Sequence, residues 1–414
     1  MKTLVFTDPK GDFETLKRLR DFADSHGDIS SVVAIGSIAG PVYTEDDRVK
    51  MARANQSLYS LRCHPAMASY QSSSLSSIAQ MALEGSLRES LRHAPGTHGI
   101  ITANAQVYQE LLEKAAPELE AQYAQFRDLW TDFLPNSLVI LPGDIDSTIL
   151  DAYLRDQNAL ATTLSKRQIP LVQRGTDRKL DCVGYGGSTN PGFGNLPLDL
   201  IPEAFDDDRL HQVLNEADGR NADIVITNMP SKGIMHFNIP HYSLMPIGSY
   251  AVSSWVQENN PVLLLCGVGN LPNVQRLPNG TVVINPGVLG RPRRTLDNKL
   301  EQIDPTSFVE LGQTREIDKR GQPEKGSEHF ISLPIYYKGR KTSPSGCFAI
   351  VDIDDDGFFK GCNVHQMEFD SDRIDEIGEF ELGDAGLKSL PKTKPVARPQ
   401  TRSSSANAYT PIHE

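Results

Sequence analysis

Five short apolar runs in this chain are each followed, within two residues, by glycine or by a polar residue. The runs cover 3–7, 31–35, 137–141, 223–227 and 261–266. Runs of this length predict buried strands. The residues at their carboxyl ends are Asp8, Gly36-Ser37, Gly143-Asp144-Ile145-Asp146, Thr227-Asn228 and Gly267-Val268-Gly269-Asn270. Because ligand sites in open α/β sheets form at the carboxyl ends of strands, the pattern predicts an α/β domain with a site at that edge.

The segments between these runs predict helices and one large insertion. Residues 12–25 carry apolar side chains at helical spacing, so the chain opens as a β-α-β unit that is typical of a layered α/β domain. Residues 41–134 are rich in Ala, Leu, Gln and Glu, with helical periodicity over 74–92 and 105–130. We therefore expect a helical insertion at 41–134.

The C-terminal third predicts closing strands followed by a tail. Asn279-Gly280 is a hairpin signal, and residues 346–369 alternate apolar and polar side chains in the manner of sheet strands. From about residue 385 the chain is mostly Pro, Lys, Ser, Thr and Arg, a composition with too little apolar surface to fold. We expect one folded domain over 1–372 and a mostly disordered tail over 373–414.

Composition limits the class of partner. The formal net charge is −12, from 41 basic and 53 acidic residues, which disfavours binding to nucleic acid or to anionic membranes. No apolar run approaches the ~18 residues of a membrane span. The chain starts directly with a strand-like run, so we expect no signal segment. The five cysteines are scattered without a CxxC pair, which favours reduced, buried thiols. A cytoplasmic protein is expected.

Taken in order, the strand ends resemble those of the calcineurin-like metallophosphoesterases, in particular the small bacterial and archaeal phosphohydrolases. That family has Asp-x-His after the first strand, Gly-Asp after the second, Gly-Asn-His-Asp after the third, a His before a Pro after the fourth, and Gly-His-x-His after the fifth. The corresponding residues of this chain are Asp8-Pro9-Lys10, Gly36-Ser37, Gly143-Asp144-Ile145-Asp146, Asn228-Met229-Pro230 and Gly267-Val268-Gly269-Asn270. Framework turns are also similar, at Gly184-Tyr185-Gly186-Gly187-Ser188, Gly248-Ser249-Tyr250-Ala251-Val252 and Asn285-Pro286-Gly287.

The resemblance covers about 1–40, 135–290 and 346–370. It implies a four-layer α/β/β/α sandwich of two mixed sheets, with the helical insertion outside the shared part. It also implies a cleft at the strand ends. The residues of that cleft are Asp8, Lys10, Ser37, Asp144, Asp146, Asn228, Val268 and Asn270.

Most of the metal ligands that the resemblance implies are replaced. A centre of two metal ions about 3.5–4 Å apart needs imidazoles and carboxylates, one of them bridging. Ser37 stands at the position of the bridging carboxylate, and Asn228, Val268 and Asn270 stand at three histidine positions. An amide binds transition metals far more weakly than imidazole, and a valine side chain does not bind them at all. None of the ten histidines falls on a ligand position.

These replacements imply a non-catalytic binding or scaffold protein with no cofactor. We also expect an unknown protein partner, whose contact surface would be the insertion at 41–134. Asp8 and Asp144 would hold Mg²⁺, Mn²⁺ or Ca²⁺ weakly at best. Two alternatives stay open. One is an active metal-dependent phosphoesterase with a carboxylate-rich site made by Asp8, Asp12, Asp144 and Asp146. The other is a sensor of nucleotides or phosphate ligands.

The roles of the charged residues also stay open at this point. Asp144 and Asp146 could instead cap the helix that follows them. Lys10 could pair with Asp8 or Asp144 and take the place of the lost metal charge, because a cation lowers the electrostatic cost of neighbouring carboxylates. Lys10 could also contact phosphate, together with a basic cluster that a solvated, salt-bridged loop explains equally well. That cluster is Arg291, Arg293 and Arg294.

Overall fold

The structure is a computed structural model that describes most of the first 143 residues and, in the remainder, separate ranges that contain strands and one helix. The described residues are 1–62, 65, 67, 75–87, 95–133, 137–143, 146, 162–163, 169–172, 179–186, 222–231, 235–237, 245–267, 272–291, 345–354, 357–369, 371–383 and 386–389.

Sixteen strands and five helices make up the described part of the chain. The strands are β1 (Lys2–Thr7), β2 (Ile29–Gly36), β3 (Leu138–Pro142), β4 (Thr162–Thr163), β5 (Ile169–Val172), β6 (Lys179–Tyr185), β7 (Ile224–Thr227), β8 (Met235–Phe237), β9 (Met245–Ile247), β10 (Leu263–Cys266), β11 (Asn273–Arg276), β12 (Val282–Asn285), β13 (Ser345–Ile353), β14 (Phe359–Glu368), β15 (Ile374–Gly383) and β16 (Gly386–Ser389). The helices are α1 (Phe13–Ser25), α2 (Glu45–Arg62), α3 (Leu75–Leu83), α4 (Pro95–Leu129) and α5 (Tyr250–Asn259), with a 3-10 turn at Thr131–Phe133.

The strands form two mixed sheets and one small strand pair. The first sheet has the order β16-β15-β14-β13-β1-β2-β3-β4, in which β1 to β4 are parallel and the other neighbours are antiparallel. The second has the order β11-β12-β10-β7-β6-β5, with four central parallel strands and an antiparallel strand at each edge. The parallel strands of each sheet therefore end along the same edge. Strands β8 and β9 pair separately.

Alternation of side chains along the strands produces four layers. In β1, Val5 faces an apolar core that also contains Ile226 and Leu265 of the second sheet. Its neighbours Leu4 and Phe6 point the other way, into a core shared with α1 and α4. A third core lies on the far side of the second sheet, where β7 and β10 pack against α5. The predicted α/β/β/α sandwich is confirmed.

The described residues of the stretch 41–134 form three helices in the outer layer of the first sheet. Rings of Phe126 and Trp130, at the end of α4 and just beyond it, lie 6.5 Å and 5.7 Å from the ring of Phe6 in β1. Fully buried residues of α2 and α3, such as Leu58 and Ile78, belong to the same core. The helices therefore share the core of the sheet. Among the described helices, none combines the length and the apolar content needed to cross a membrane.

The hairpin predicted at Asn279-Gly280 joins β11 to β12. Leu277 N–H donates to the Thr281 carbonyl at 2.8 Å, and Gly280 N–H donates to the Leu277 carbonyl at 2.9 Å. Gly280 has φ +97°, in the region that favours glycine. The turn signal was therefore sufficient to locate this connection.

The first part of the predicted tail is strand, which corrects the boundary drawn at residue 373. Residues 374–383 form β15, and residues 386–389 form β16 beside it. Phe380 is 1% exposed, and Ile377 and Leu382 pack against the core between the sheets. The many acidic residues among them concealed this apolar face. Residues 390–414 lie outside the described residues.

Among the described residues four cysteines are free: Cys182, Cys266, Cys347 and Cys362. Burial raises the pKa of the thiols of Cys266, Cys347 and Cys362, because an apolar surrounding disfavours the thiolate. These three thiols are therefore poor nucleophiles and poor metal ligands at neutral pH.

Candidate functional site

Hydrogen bonds join the carboxyl end of β1 to the loop that follows β12, and so join the two sheets. Thr7 Oγ1 donates to the Gly287 carbonyl at 2.8 Å, and Leu289 N–H donates to the Thr7 carbonyl at 2.8 Å. One residue further on, Gly290 N–H donates to the Asp8 carbonyl at 3.1 Å. A Cβ atom at Gly290 would lie 2.0 Å from the Pro9 carbonyl oxygen, so only glycine permits this approach.

The Asn-Pro-Gly turn after β12 ties a second strand end to the same place. Asn285 is fully buried, and its Nδ2 donates to the Gly267 carbonyl at 3.1 Å, just beyond the end of β10. Its Oδ1 accepts from Gly287 N–H at 2.7 Å. The side chain therefore bridges the loops after β10 and β12. This bridge gives a structural reason for the asparagine in the turn Asn285-Pro286-Gly287, which the sequence analysis had singled out.

Asp8 and Ser37 meet at the ends of β1 and β2. Asp8 is 6% exposed and Ser37 is fully buried, and Asp8 Oδ1 accepts from Ser37 N–H at 3.0 Å. Asp8 and Lys10 have φ of +48° and +50°, in the left-handed region that is costly for residues other than glycine. The bond from Lys10 N–H to the Ser37 carbonyl, 2.9 Å long, helps to hold this conformation.

Two glycines make room for the side-chain oxygens of Asp8 and Asn228, which come from different sheets. A Cβ atom at Gly36 would lie 2.8 Å from Asp8 Oδ1 and 3.4 Å from Asn228 Oδ1. A Cβ atom at Gly267 would lie 2.8 Å from Asn228 Oδ1. Asn228 is 1% exposed. The ends of β1, β2, β7 and β10 therefore lie close together, around the side-chain oxygens of Asp8 and Asn228.

Asp146 serves as an anchor for backbone. It is fully buried and accepts from the N–H groups of Ile38 at 3.0 Å, Ala39 at 3.1 Å and Gly143 at 2.9 Å. The Tyr123 hydroxyl lies 3.3 Å from Asp146 Oδ1. An ionised carboxylate offers about four lone-pair sites, and these four donors occupy them. Asp146 thus fixes the loop after β2, and a metal ion would have to displace one of these donors.

Two α4 side chains at this edge carry no sequence signal that would have revealed them. Tyr123 is the Asp146 partner already described, and Gln122 Oε1 accepts from Gly40 N–H at 2.6 Å. Both residues lie more than 80 positions from the loop after β2, inside a stretch whose periodicity indicates only a helix. Only a contact prediction over that distance could have linked them to the site.

Asp12 and Arg291 form an ion pair beside the carboxyl end of β1. Asp12 caps α1 by accepting from Thr15 N–H at 3.2 Å, and its Oδ2 also accepts from Arg291 N–H at 3.2 Å. Arg291 Nε lies 3.5 Å from the same oxygen, and Arg291 Nη2 donates to the Phe369 carbonyl at 2.9 Å. The guanidinium also stacks over the Phe369 ring, 5.4 Å from its centroid. These contacts are those of a salt-bridged loop.

The structure thus brings together Asp8, Lys10, Ser37, Asp146 and Asn228. The other predicted site residues lie outside the described residues: Asp144, Val268, Asn270, Arg293 and Arg294. Within the described part of the chain, no group of three or more His, Cys, Asp or Glu is placed to hold a metal ion.

The donor set that is described does not fit a two-metal centre. Asp8 offers one carboxylate, Ser37 a hydroxyl and Asn228 an amide, whereas such a centre needs imidazoles and a bridging carboxylate. Asp146 offers a carboxylate that is already saturated by its four donors.

Comparison with known proteins gives only distant likenesses. No protein-family model matches the chain, and no curated protein matches it. A structure of TT1561 of Thermus thermophilus is 14% identical, with a TM-score of 0.38, over 69% of this chain and 89% of that one. GAP50, the anchor in the inner membrane complex of Plasmodium, is 12% identical, with a TM-score of 0.31, over 95% and 89%. Vps29 from Entamoeba histolytica in complex with Zn²⁺, of the calcineurin-like metallophosphoesterase fold, is 9% identical, with a TM-score of 0.19, over 64% and 87%. Likenesses at these identities and scores assign no function to the chain.

Proposed function

We propose that this chain retains a phosphoesterase-type cleft at its joined strand ends and acts by binding, without hydrolysis. The cleft would serve as a recognition or scaffold site for an unidentified protein partner that also contacts the helical insertion at 41–134. No cofactor is part of this proposal.

The observation that supports the proposal most is the buried hydroxyl of Ser37 at the end of β2. In the family that the sequence resembles, this position carries the carboxylate that bridges the two metal ions. Here Ser37 is fully buried, and its N–H binds the neighbouring Asp8 carboxylate. A neutral hydroxyl cannot hold two cations about 4 Å apart, because their mutual repulsion requires an anion between them.

A second function is favoured by the oxygens of Asp8 and Asn228. These two oxygens from different sheets both lie close to Gly36. Carboxylate and amide oxygens are ligands that Mg²⁺ and Ca²⁺ prefer. A metal-dependent phosphoesterase with an oxygen-only site is therefore the alternative. A phosphate-ligand sensor would use the same space without turnover.

Restoring the family ligands separates these functions. The six-fold variant carries Lys10→His, Ser37→Asp, Asp144→Asn, Asn228→His, Val268→His and Asn270→His. Parent and variant would be titrated with Mn²⁺ by calorimetry and assayed with bis(p-nitrophenyl) phosphate. Metal uptake is the primary measurement, because catalysis demands geometry within about 0.5 Å and a rebuilt site seldom reaches it.

We expect Mn²⁺ binding by the six-fold variant and none by the parent. A single change, Ser37→Asp, is the matched control and should bind little, since ligands that act as a unit are not additive. Tight Mn²⁺ binding and hydrolysis by the parent would establish the alternative. Absence of binding by both proteins would contradict the retained cleft. Binding of inorganic phosphate by the parent alone would favour the sensor.

A further inference from the structure

Gln122 of α4 lies between the loops that follow β1 and β2. The side chain is 9% exposed, and its Oε1 accepts from Gly40 N–H at 2.6 Å. A Cβ atom at Gly11 would lie 2.7 Å from the same Oε1 and 2.7 Å from Gly40 N. The amide oxygen of Gln122 is therefore packed against both loops, and the glycine at position 11 is what allows the contact.

The next residue of α4 reaches the same loop through a carboxylate. Tyr123 is 1% exposed, and its hydroxyl lies 3.3 Å from Asp146 Oδ1. Asp146 in turn accepts from the N–H groups of Ile38 and Ala39. Two consecutive helix residues thus hold three consecutive backbone N–H groups, at residues 38, 39 and 40. The residue before them is Ser37, whose N–H binds Asp8.

The position of α4 is itself fixed by the core. Phe126 and Trp130, three and seven residues beyond Tyr123, pack against Phe6 of β1. The orientation of the Gln122 amide is fixed as well, because its Nε2 donates to Glu118 Oε1 at 3.1 Å, one helical turn earlier. The oxygen is therefore presented to Gly40 by a helix that cannot shift along β1 without disturbing buried aromatic packing.

We propose that Gln122 and Tyr123 are positioning residues through which the helical insertion sets the shape of the cleft. The loop at 37–40 then moves with α4. A displacement of the helical insertion would therefore change the shape of the cleft. The inference shares with the proposed function only the location of the cleft. It holds whether the cleft hydrolyses a substrate or only binds a ligand.

The decisive experiment measures hydrogen exchange of the loop amides in Gln122→Met. Methionine has nearly the volume of glutamine but offers no amide oxygen, so Gly40 N–H loses its acceptor. We expect exchange at Gly40 to accelerate at least tenfold by NMR, while amides in the centres of β1, β2 and β3 keep their protection. Tyr123→Phe should accelerate exchange at Ile38 and Ala39 to a smaller degree.

Gln109→Met is the matched control. Gln109 lies on the same helix and donates from Nε2 to Glu113 Oε1 at 3.1 Å, which matches the intrahelical bond of Gln122. The change should leave the loop amides unaffected. The double variant Glu118→Gln with Gln122→Glu exchanges the amide and the carboxylate between positions 118 and 122. Position 122 keeps an oxygen that can accept from Gly40 N–H, so slow exchange at Gly40 should be restored. A loss of packing alone would not be rescued in this way.

Unchanged exchange at Gly40 in Gln122→Met, or equal acceleration by Gln109→Met, would overturn the proposal. If Gln122→Met fails to fold, Tyr123→Phe and the double variant carry the test, and normal loop exchange in Tyr123→Phe then overturns it. None of these measurements involves metal or phosphate. Failure of the proposed binding function would therefore leave their outcome unchanged.

Discussion

At the scale of single residues, the buried carboxylate of Asp146 stabilises the loop after β2 by accepting hydrogen bonds from backbone N–H groups. Asp146→Asn keeps the shape but turns an amide NH₂ towards backbone donors. We expect a loss of about 2–4 kcal/mol in the free energy of unfolding, since hydrogen bonds to a charged acceptor are strong and the displaced donors stay buried. Urea unfolding would measure this loss.

The control for this prediction is Asp132→Asn, the same chemical change at a carboxylate that is 77% exposed and paired with Arg20. We expect it to cost at most about 1 kcal/mol. If both variants lose the same small amount of stability, Asp146 does not anchor the loop after β2.

His365 is a second residue whose environment leads to a prediction, here on how the free energy of unfolding depends on pH. Its ring stacks on Phe348, with centroids 5.0 Å apart and planes at 10°, and meets the edge of Phe22 at 5.3 Å. Burial, with a smaller contribution from His26, lowers the pKa of His365 from 6.5 to about 4. The unfolded chain therefore binds this proton at a higher pH than the folded chain does.

As the pH falls from about 6.5 to about 4, the free energy of unfolding should therefore decrease. The decrease due to His365 reaches about 3 kcal/mol. Above pH 6.5 both states are neutral at this position, and the effect vanishes. His365→Phe should make the pH dependence of unfolding shallower than in the parent, whereas His26→Gln, at an exposed position, should change it far less. Parallel curves for the parent and His365→Phe would contradict the prediction.

The sequence revealed the strand-end residues because each follows an apolar run directly. Asp8, Ser37 and Asn228 belong to this group, and local pattern alone was enough to find them. The partner of each residue was not predictable in the same way. Gln122 and Asp146 meet the loop after β2 across 82 and 108 positions, and no local pattern encodes a hydrogen bond over such a separation.

At the scale of elements, two glycines with opposite backbone requirements allow a matched comparison. Gly280 in the β11–β12 turn has φ +97°. Gly99 lies in α4, and nothing is within 4 Å of where its Cβ atom would be. Gly280→Ala should lower the free energy of unfolding by about 1 kcal/mol or more, because alanine is strained at positive φ.

Gly99→Ala should instead raise the free energy of unfolding, by up to about 1 kcal/mol, because alanine is the better helix former. Thermal unfolding of both variants would show shifts of opposite sign. A stabilised Gly280→Ala variant would show that the turn does not require its left-handed residue.

Element prediction from the sequence succeeded where periodicity and turn residues agreed, and failed where charge concealed an apolar face. The runs that became β1, β2, β3, β7 and β10 are almost wholly apolar and are buried on both faces, as expected for central parallel strands. In β15 the apolar residues alternate with Asp and Glu, because one face of this outer strand lies away from the core. That composition resembles a disordered tail.

At the scale of the whole molecule, the boundary of the folded unit can be tested by truncation. A chain that ends after Ser389 keeps β15 and β16 and loses only residues 390–414, which contain few apolar side chains. We expect its melting temperature to lie within about 2 °C of the parent, because so little apolar surface is removed.

A chain that ends after Arg373 loses β15 and β16 and uncovers one edge of the core between the sheets, where Phe380 is 1% exposed. We expect it to melt several degrees lower or to aggregate, because a long edge strand, β14, is left without its neighbour. If both truncated chains have the melting temperature of the parent, β15 does not contribute to the core. If both are destabilised, the folded unit extends past residue 389.

The bonds between Thr7 and Gly287 and between Asn285 and Gly267 hold the strand ends through one buried hydroxyl and one buried amide, each of which donates to a backbone carbonyl. Neither bond involves the side chain of Asp8 or Asn228, whose oxygens lie near Gly36. Such a frame tolerates substitution: variants at these positions can accumulate while the chain still folds. A lineage with this frame can lose one chemistry and acquire another ligand without passing through an unfolded intermediate. The same property makes the strand ends a suitable place for saturation mutagenesis and selection of new binders.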